Sequence, residues 1–232
     1  MFALSAEHID YTWRFRGGNI KALDSVSVQF PSGTPHIICG PSGSGKTTLA
    51  LALAGLIKTE GGAIFLEDSP MDRSLGEIAY VFQFAENIFF EDSVANELRE
   101  IAGVHRNGSA AAYLSELGIA LDDIRDAHPF HLSEGYSRLV AIALQLAREP
   151  RVLILDEPTI GLDWRHQARL IRLLKRWVTD DRILVIIAHD VELMREIGGS
   201  AWVLVEGRLA WSGETDALLA SPELVESFSL AA

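Results

Sequence analysis

The chain has 232 residues, of which 48% are hydrophobic, and a formal net charge of −12 at pH 7. This length and apolar content suit one globular domain with a sizeable core and exclude a disordered chain. The acidic charge disfavours a nucleic-acid binder, because affinity for the phosphate backbone comes from clustered lysine and arginine. Its one cysteine, Cys39, excludes an internal disulfide. No apolar run approaches the roughly 20 residues of a membrane-spanning helix, and the N-terminus lacks a signal-peptide pattern, so we expect any membrane role to go through a partner.

The first 30 residues alternate as β-strands do. Val26, Val28 and Phe30 fall on one face of a strand that follows a turn at residues 17–19. Tyr11 and Trp13 lie on the strand before that turn. An aromatic side chain there can stack on a purine base or pack as an ordinary strand residue, and the residues alone favour neither.

Residues 40–48 read Gly-Pro-Ser-Gly-Ser-Gly-Lys-Thr-Thr and match the phosphate-binding loop pattern at every fixed position. Glycines allow the loop to turn tightly, so that its backbone N–H groups can approach phosphate oxygens. The lysine can reach the β- and γ-phosphates, and the hydroxyl after it can bind Mg²⁺. The predicted ATP-binding residues of the loop are Gly40, Pro41, Ser42, Gly43, Ser44, Gly45, Lys46, Thr47 and Thr48.

The surroundings of the loop support nucleotide binding. Residues 37–39 are predicted to form a buried strand that ends at the loop, and residues 49–57 a helix that is apolar all round and therefore buried. The N-terminus of such a helix directs its positive dipole end at phosphate. A flexible Gly/Ser turn is the alternative, and a strand before the loop with a helix after it disfavours that alternative.

The middle of the chain changes from strands to helices. Residues 61–67 and 78–82 are predicted strands, and Gln83 ends the second, where it could contact a ligand; a solvated loop glutamine is the simpler interpretation. From about residue 84 to 148 the pattern is helical, which predicts an inserted helical subdomain. An acidic cluster opens it, and a solvated face is the default interpretation of this cluster of Glu86, Glu91, Asp92, Glu97 and Glu100.

Acidic residues close the next predicted strand. Residues 152–155 are apolar and lead into Asp156 and Glu157, which are costly there unless used or paired. Asp156 could hold Mg²⁺ and Glu157 could polarise an attacking water. Residues 183–187 form another apolar strand, with His189 just beyond it. A terminal hairpin follows at residues 202–211.

The chain resembles the ATP-binding subunit of ABC transporters over about residues 2–220, and the likeness rests on six motifs in the order found in that family. The motifs are the phosphate loop at 40–48, the Q-loop glutamine Gln83, the signature at 132–136, the acidic pair Asp156 and Glu157, the D-loop at 160–163, and the switch histidine His189.

The resemblance implies a role for each motif. Gln83 would contact Mg²⁺ and sense the membrane partner, Asp156 would bind Mg²⁺, and Glu157 would be the catalytic base. His189 would contact the γ-phosphate, and Trp13 rather than Tyr11 would stack on adenine. The implied cofactors are ATP and Mg²⁺, and catalysis is expected from Glu157, His189, Gln83 and Lys46.

The signature departs from the usual Leu-Ser-Gly-Gly-Gln, because Glu134 replaces a glycine and Tyr136 a glutamine. In this family the signature completes the ATP site of the opposite subunit, here through Ser133 and Gly135. A weakened signature would favour a different partner subunit that carries a regular one, whereas a solvent-facing Glu134 would allow a symmetric pair.

A narrower likeness concerns residues 81–89, which resemble a stretch of energy-coupling factor importers that take up vitamins and transition-metal ions; Phe84 and Ala85 depart from it. In those importers an arginine-bearing helix of the membrane partner docks near this segment. The acidic cluster would suit such a helix.

We therefore expect a single ABC ATPase domain over residues 1–232, with an α/β P-loop NTPase core around a parallel sheet, an N-terminal antiparallel β-subdomain and an inserted helical subdomain at about 84–148. It would pair with a second ATP-binding subunit and a transmembrane subunit, and bind no nucleic acid, at the cytoplasmic face of the cell membrane. The alternatives are a soluble ABC ATPase of DNA repair or chromosomes, a translation-factor ABC protein, and a small-molecule kinase. The absence of heptads and cysteine clusters opposes the DNA repair or chromosome ATPase. The single cassette opposes the translation factor, and the other five motifs oppose the kinase.

Overall fold

The structure is a computed structural model that describes residues 2–70, 75–104 and 109–230. Met1 and residues 231–232 of the predicted domain, and residues 105–108 of the predicted helical subdomain, lie outside the described residues. The strands are β1 (Ala3–Phe15), β2 (Gly18–Pro31), β3 (Pro35–Cys39), β4 (Gly61–Leu66), β5 (Ser69–Pro70), β6 (Ile78–Val81), β7 (Val152–Asp156), β8 (Ile183–Ile187), β9 (Ser200–Val205) and β10 (Arg208–Glu214). The helices are α1 (Lys46–Leu53), α2 (Val94–Val104), α3 (Ala110–Leu117), α4 (Leu121–Ile124), α5 (Glu134–Ala147), α6 (Trp164–Trp177), α7 (Val191–Ile197), α8 (Thr215–Leu219) and α9 (Pro222–Ser227).

A six-stranded sheet in the order β10-β9-β3-β8-β7-β6 forms the centre of the fold. The five strands from β9 to β6 run parallel, and β10 returns antiparallel to β9. The predicted parallel core and the predicted terminal hairpin are both confirmed.

Both faces of this sheet are covered, which explains the unbroken apolar strands. Along β7, Leu153 and Leu155 pack against a core with α5, α6 and α7, while Val152 and Ile154 face a second core with α1 and the N-terminal strands. Successive side chains of a strand point to opposite faces, so each strand contributes to both cores.

The N-terminal strands form a separate antiparallel sheet in the order β2-β1-β4-β5. Val26, Val28 and Phe30 are buried on one face, as their alternation predicts. The predicted antiparallel subdomain is therefore confirmed, and it packs on the side of the central sheet that carries α1.

Helix α1 is shorter than the predicted helix at residues 49–57. It begins at Lys46 and ends at Leu53, after which Gly55 takes a left-handed φ of +69°. The Leu56 amide donates to the carbonyl of Leu51 and the Gly55 amide to that of Ala52, both at 2.9 Å, which is the Schellman arrangement of a helix end. Leu56 is 51% exposed, so the prediction of a helix buried all round was wrong beyond this glycine.

The helical subdomain agrees with its prediction within the described residues of 84–148, which include no strand. The acidic cluster, however, is not simply a solvated face. Glu97 is only 6% exposed, and its carboxylate accepts the backbone N–H groups of Phe90 and Glu91 at 2.6 and 2.7 Å. The Glu97 carboxylate therefore provides hydrogen-bond acceptors for the backbone N–H groups of the loop before α2.

The buried histidine His36 is expected to make the folded protein less stable in acid. His36 in β3 is fully buried, its Nε2 donates to the Pro31 carbonyl at 2.7 Å, and burial lowers its pKa to about 4. The unfolded chain binds the proton first, so the stabilisation present above pH 6.5 falls by about 2 kcal/mol between pH 7 and 4.5. Urea unfolding at both pH values should show a smaller loss for His36→Gln than for the wild type. An identical loss in both proteins would contradict the prediction.

Candidate active site at the carboxyl edge of the sheet

Strand register brings the predicted site residues to one edge of the central sheet. Val81, Leu155, Ile186 and Ile37 form a row across β6, β7, β8 and β3. Each strand ends within two residues of this row, and parallel strands end on the same side, where α/β proteins bind ligands. The segments that follow carry Gln83, Asp156, Glu157, His189 and the phosphate loop.

The glycines of the phosphate loop are required by space as well as by conformation. Gly40 and Gly45 have φ values of +131° and +101°. A Cβ atom on Gly40 would lie 2.1 Å from the Leu204 carbonyl oxygen, and one on Gly45 would lie 2.3 Å from that of Ala22. The loop is thus wedged between neighbouring strands, which presets its curvature.

Lys46 opens α1 and turns back into the loop. Its ammonium donates to the carbonyls of Gly40 and Pro41, both at 2.8 Å. Burial lowers its pKa, against the opposing influence of Glu157 first and Asp156 among the others. A half-buried cation among backbone dipoles, beside the N-terminal amides of a helix, suits an anion.

Asp156 lies almost fully buried, with 2% exposure, between two hydroxyl donors. Its Oδ2 accepts from Thr47 at 3.0 Å and from Tyr80 at 3.2 Å. Burial raises the pKa of Asp156, and the two hydrogen bonds oppose that rise. Mg²⁺ is bound through one or two carboxylate or hydroxyl oxygens together with phosphate and water, so the adjacent oxygens of Thr47 and Asp156 suit it.

Glu157 and His189 form a close pair at the same edge. His189 Nδ1 lies 2.6 Å from Glu157 Oε1, and the imidazole is about half exposed while the carboxylate is mostly buried. Glu157 has a φ of +50°, a conformation that costs free energy for a residue with a side chain and is typical of functional sites. Within the described part of the chain, the other carboxylate oxygen and the imidazole Nε2 have no hydrogen-bond partner.

Trp13 is the aromatic residue that reaches the phosphate loop. It is 40% exposed, and its indole N–H donates to the Thr48 hydroxyl at 3.1 Å. Tyr11 packs edge-on against it, 4.9 Å between ring centroids, and is partly buried against the N-terminal core. Of these two side chains, Trp13 is thus the one that lies against the phosphate loop.

The signature lies at the start of α5. Ser133 caps the helix by accepting the Tyr136 amide at 3.3 Å. Gly135 is buried against the D-loop, where an added Cβ would lie 2.4 Å from the Gly161 carbonyl oxygen. Among the described residues, neither Ser133 nor Gly135 is hydrogen-bonded to the phosphate loop.

Two residues near the site were missed by the sequence analysis. Tyr80, in a wholly buried strand beside β7, needed a partner for its hydroxyl, and that need was the available signal. Arg138 sits at i+4 from Glu134 at the start of an apolar helix, and it is buried with 1% exposure. A lone arginine there gave no indication of which carbonyls it would contact.

A phosphate loop between a parallel strand and a helix, with an acidic pair ending another strand of the same sheet, defines a P-loop nucleoside triphosphatase. More specifically, the chain belongs to the ABC transporter family, whose model matches residues 23–160, more than half of the chain. It is an ATP-binding ATPase cassette of that family.

The chain is similar to several ATP-binding proteins of the family. It is 33% identical over 208 residues to a putative ABC transporter ATP-binding protein of Pyrococcus abyssi, covering 84% of this chain and 78% of the relative. It is 36% identical over 211 residues to the energy-coupling factor transporter ATP-binding protein EcfA2 of Mycoplasma pneumoniae, covering 84% and 69%.

Solved structures agree on the fold. The ATP-binding cassette MJ0796, captured as a dimer after hydrolysis with ADP and Pi, aligns with a TM-score of 0.80 at 23% identity over 91% of this chain and 98% of that chain. The cbiO1 protein of Clostridium perfringens, described as part of the ABC transporter complex cbiONQ, aligns with a TM-score of 0.75 at 27% identity over 98% and 94%. The predicted fold class is confirmed. Among the described residues, no helix is long and apolar enough to cross a membrane.

Proposed function

We propose that this chain hydrolyses ATP to power uptake of a vitamin or metal ion through a separate membrane subunit, as in energy-coupling factor importers. Support comes from relatives of that name at 30–36% identity, from a putative HMP/thiamine import ATP-binding protein of Bacillus subtilis at 32%, and from the likeness to cbiO1. These likenesses do not favour a soluble ABC ATPase of DNA repair or translation.

The chemical roles follow from the carboxyl edge. Lys46 and the loop amides would hold the β- and γ-phosphates. The Glu157 carboxylate oxygen that does not contact His189 would take a proton from the attacking water. His189 would orient Glu157 through Nδ1 and contact the γ-phosphate through Nε2. Gln83, two residues beyond the end of β6, would complete the polar shell.

Thr47, Asp156 and Gln83 would hold Mg²⁺, which supplies positive charge beside the phosphates when bound. The Tyr80 hydroxyl holds the Asp156 carboxylate in the orientation that places its Oδ2 beside the Thr47 hydroxyl. The two oxygens are therefore preorganised for a metal ion. The raised pKa of Asp156 reflects a buried negative charge that a cation would offset.

The assembly we propose has two ATP-binding subunits, each a single domain of this kind, on a transmembrane subunit at the cytoplasmic face of the membrane. Trp13 and the phosphate loop of one subunit would face Ser133 and Gly135 of the other. The exposed position of Ser133 at the N-terminus of α5 suits contact across such a dimer.

A groove between the core and the helical subdomain suits the membrane subunit. It encloses about 680 Å³ and is lined by apolar Phe90 and Ile101 together with the carboxylates of Glu91 and Glu100. Phe90 is 90% exposed and Leu56, which lines the same groove, is 51% exposed, so the groove offers apolar surface to a partner. A basic, amphipathic helix of the membrane subunit would match both the charge and the apolar floor.

Trp13→Ala should weaken ATP binding by roughly ten- to a hundredfold, because base stacking on an aromatic ring contributes about 1–3 kcal/mol. Trp13→Phe should keep most of that affinity. Titration with ATP followed by calorimetry measures both. Equal affinity for wild type and Trp13→Ala would remove Trp13 from the adenine site.

The observation that carries the proposal is the Glu157–His189 pair, 2.6 Å apart, at the strand edge that holds Lys46 and Asp156. The test is transport by the chain with its membrane subunit in proteoliposomes, screened with vitamins and transition-metal ions. Uptake should require ATP on the side of this chain and disappear with Glu157→Gln. ATP hydrolysis without uptake of any screened substrate, by a complex that contains a membrane subunit, would contradict the importer role.

A further inference from the structure

Arg138 joins four segments around the proposed ATP site. Its Nη1 donates to the carbonyl oxygens of Glu157 at 3.2 Å and Ile160 at 2.7 Å, and its Nη2 donates to that of Gln83 at 2.6 Å and to the Glu134 carboxylate at 3.2 Å. One guanidinium thus connects the signature helix, the Q-loop, the acidic strand end and the D-loop.

Burying the Arg138 guanidinium costs desolvation free energy, which suggests a role beyond packing. Arg138 is 1% exposed, and burial lowers the pKa of its guanidinium, opposed first by the charge of Glu134. Its Nε has no hydrogen-bond partner within the described ranges, so the terminal nitrogens alone fix its orientation. A buried ion pair as a whole can often be replaced by apolar residues without loss of stability, so stability alone gives little reason for an arginine paired with Glu134. A planar, multiply donating group is what three separated carbonyls require.

The hydrogen bond from Arg138 to the Glu157 carbonyl involves a residue with a strained backbone. With a φ of +50°, Glu157 holds its conformation only because its surroundings determine it. Its amide donates to the Ile187 carbonyl at 3.0 Å, and its carbonyl accepts from Arg138. The two peptide planes around Glu157 are therefore fixed, and they set where the carboxylate points.

Glu134 explains how the charge of Arg138 is balanced. The side chain of Glu134 is 61% exposed, yet one oxygen turns along α5 to Arg138 in the favourable i to i+4 order. Independently, Gly135 packs directly on the backbone of Gly161, so the start of α5 and the D-loop are in close contact. The unusual glutamate of the signature thus has a partner inside its own subunit.

We propose that Arg138 is a positioning residue for ATP hydrolysis, which holds the backbone of Gln83 and Glu157 in their reactive arrangement, and that Glu134 is the counter-ion that keeps it in place. This inference rests on the proposed function. It also means that a disturbance at the signature, which would touch the ATP of the opposite subunit, reaches the catalytic base of this subunit.

The test compares kcat and KM for ATP in the assembled transporter complex. Arg138→Met should lower kcat by roughly ten- to a hundredfold, the loss that a small misplacement of a reacting group causes, with KM within about twofold because Lys46 is untouched. Arg138→Lys, which keeps the charge but not the planar fork, should lower kcat as well. Arg176→Met, which breaks an exposed pair with Glu116, is the matched control and should change neither constant.

Two backgrounds separate positioning from mere support of the fold. In Glu157→Gln, Arg138→Met should add almost no further loss, because residues that act through one group are non-additive. Glu134→Ala should lower kcat in the wild type but not beside Arg138→Met. A Glu134→Ala effect that persists beside Arg138→Met would overturn the counter-ion role, because Glu134 would then act on the opposite site directly.

Unchanged kcat in Arg138→Met, or a parallel worsening of KM and kcat, overturns the positioning role. If Glu157→Gln hydrolyses ATP normally, the proposed function fails and this inference fails with it. Lost turnover in Glu157→Gln together with wild-type turnover in Arg138→Met overturns this inference alone.

Discussion

Glu157→Gln is expected to lower ATP turnover by about a hundredfold or more while ATP stays bound. The amide keeps the size of the carboxylate and can still contact His189, but it cannot accept a proton from water. Lys46, the loop amides and Asp156 are untouched, so the phosphates keep their contacts. Loss of hydrolysis without loss of binding would therefore assign Glu157 as the base.

The measurement pairs steady-state phosphate release with equilibrium ATP binding. Glu226→Gln, an exposed glutamate in α9, is the matched control and should leave both unchanged. If Glu157→Gln turns over at the wild-type rate, another group activates the water.

Lys46→Ala should abolish ATP turnover and greatly weaken ATP binding. The ammonium lies inside the phosphate loop, so its loss removes the positive charge that would contact the β- and γ-phosphates. Truncating one partner of a buried charge pair costs about 2–5 kcal/mol, which is a weakening of roughly thirtyfold or more. The protein should still fold, because among the described residues the Lys46 ammonium is hydrogen-bonded to two loop carbonyls and to no other group.

Calorimetric titration with ATP measures the affinity, and circular dichroism confirms the fold. Lys58→Ala removes an exposed lysine outside the loop and should bind ATP as the wild type does. Near wild-type affinity in Lys46→Ala would place the nucleotide elsewhere.

Much of this architecture could be predicted from the sequence because its signals are local. Apolar runs such as residues 152–155 and 183–187 can be satisfied only in a sheet covered on both faces, and the structure confirms both strands. The strand, glycine loop and helix around residues 37–53 carry their own pattern. Since parallel strands end together, the positions of Asp156, Glu157 and His189 follow from the same reasoning.

What could not be predicted depends on contacts between distant segments. The sequence predicts that Glu97 is a surface acid, because nothing in it shows that the backbone amides of Phe90 and Glu91 donate to its carboxylate. Arg138 contacts carbonyls from 19 to 55 residues away in the chain, and a carbonyl carries no sequence signature. The end of α1 was missed for a different reason, because the apolar pattern continues past the glycine that stops the helix.

The central claim is that this chain is the ATPase subunit of a membrane transporter. Its most direct test is to purify the tagged full-length chain from detergent-solubilised membranes of its native host and to identify the bound subunits by mass spectrometry. The claim predicts a stoichiometric complex of a multi-spanning membrane protein with two ATP-binding subunits, which hydrolyses ATP and loses that activity with Glu157→Gln. Recovery of the chain without any membrane protein, or in a complex with nucleic acid or ribosomes, would contradict it.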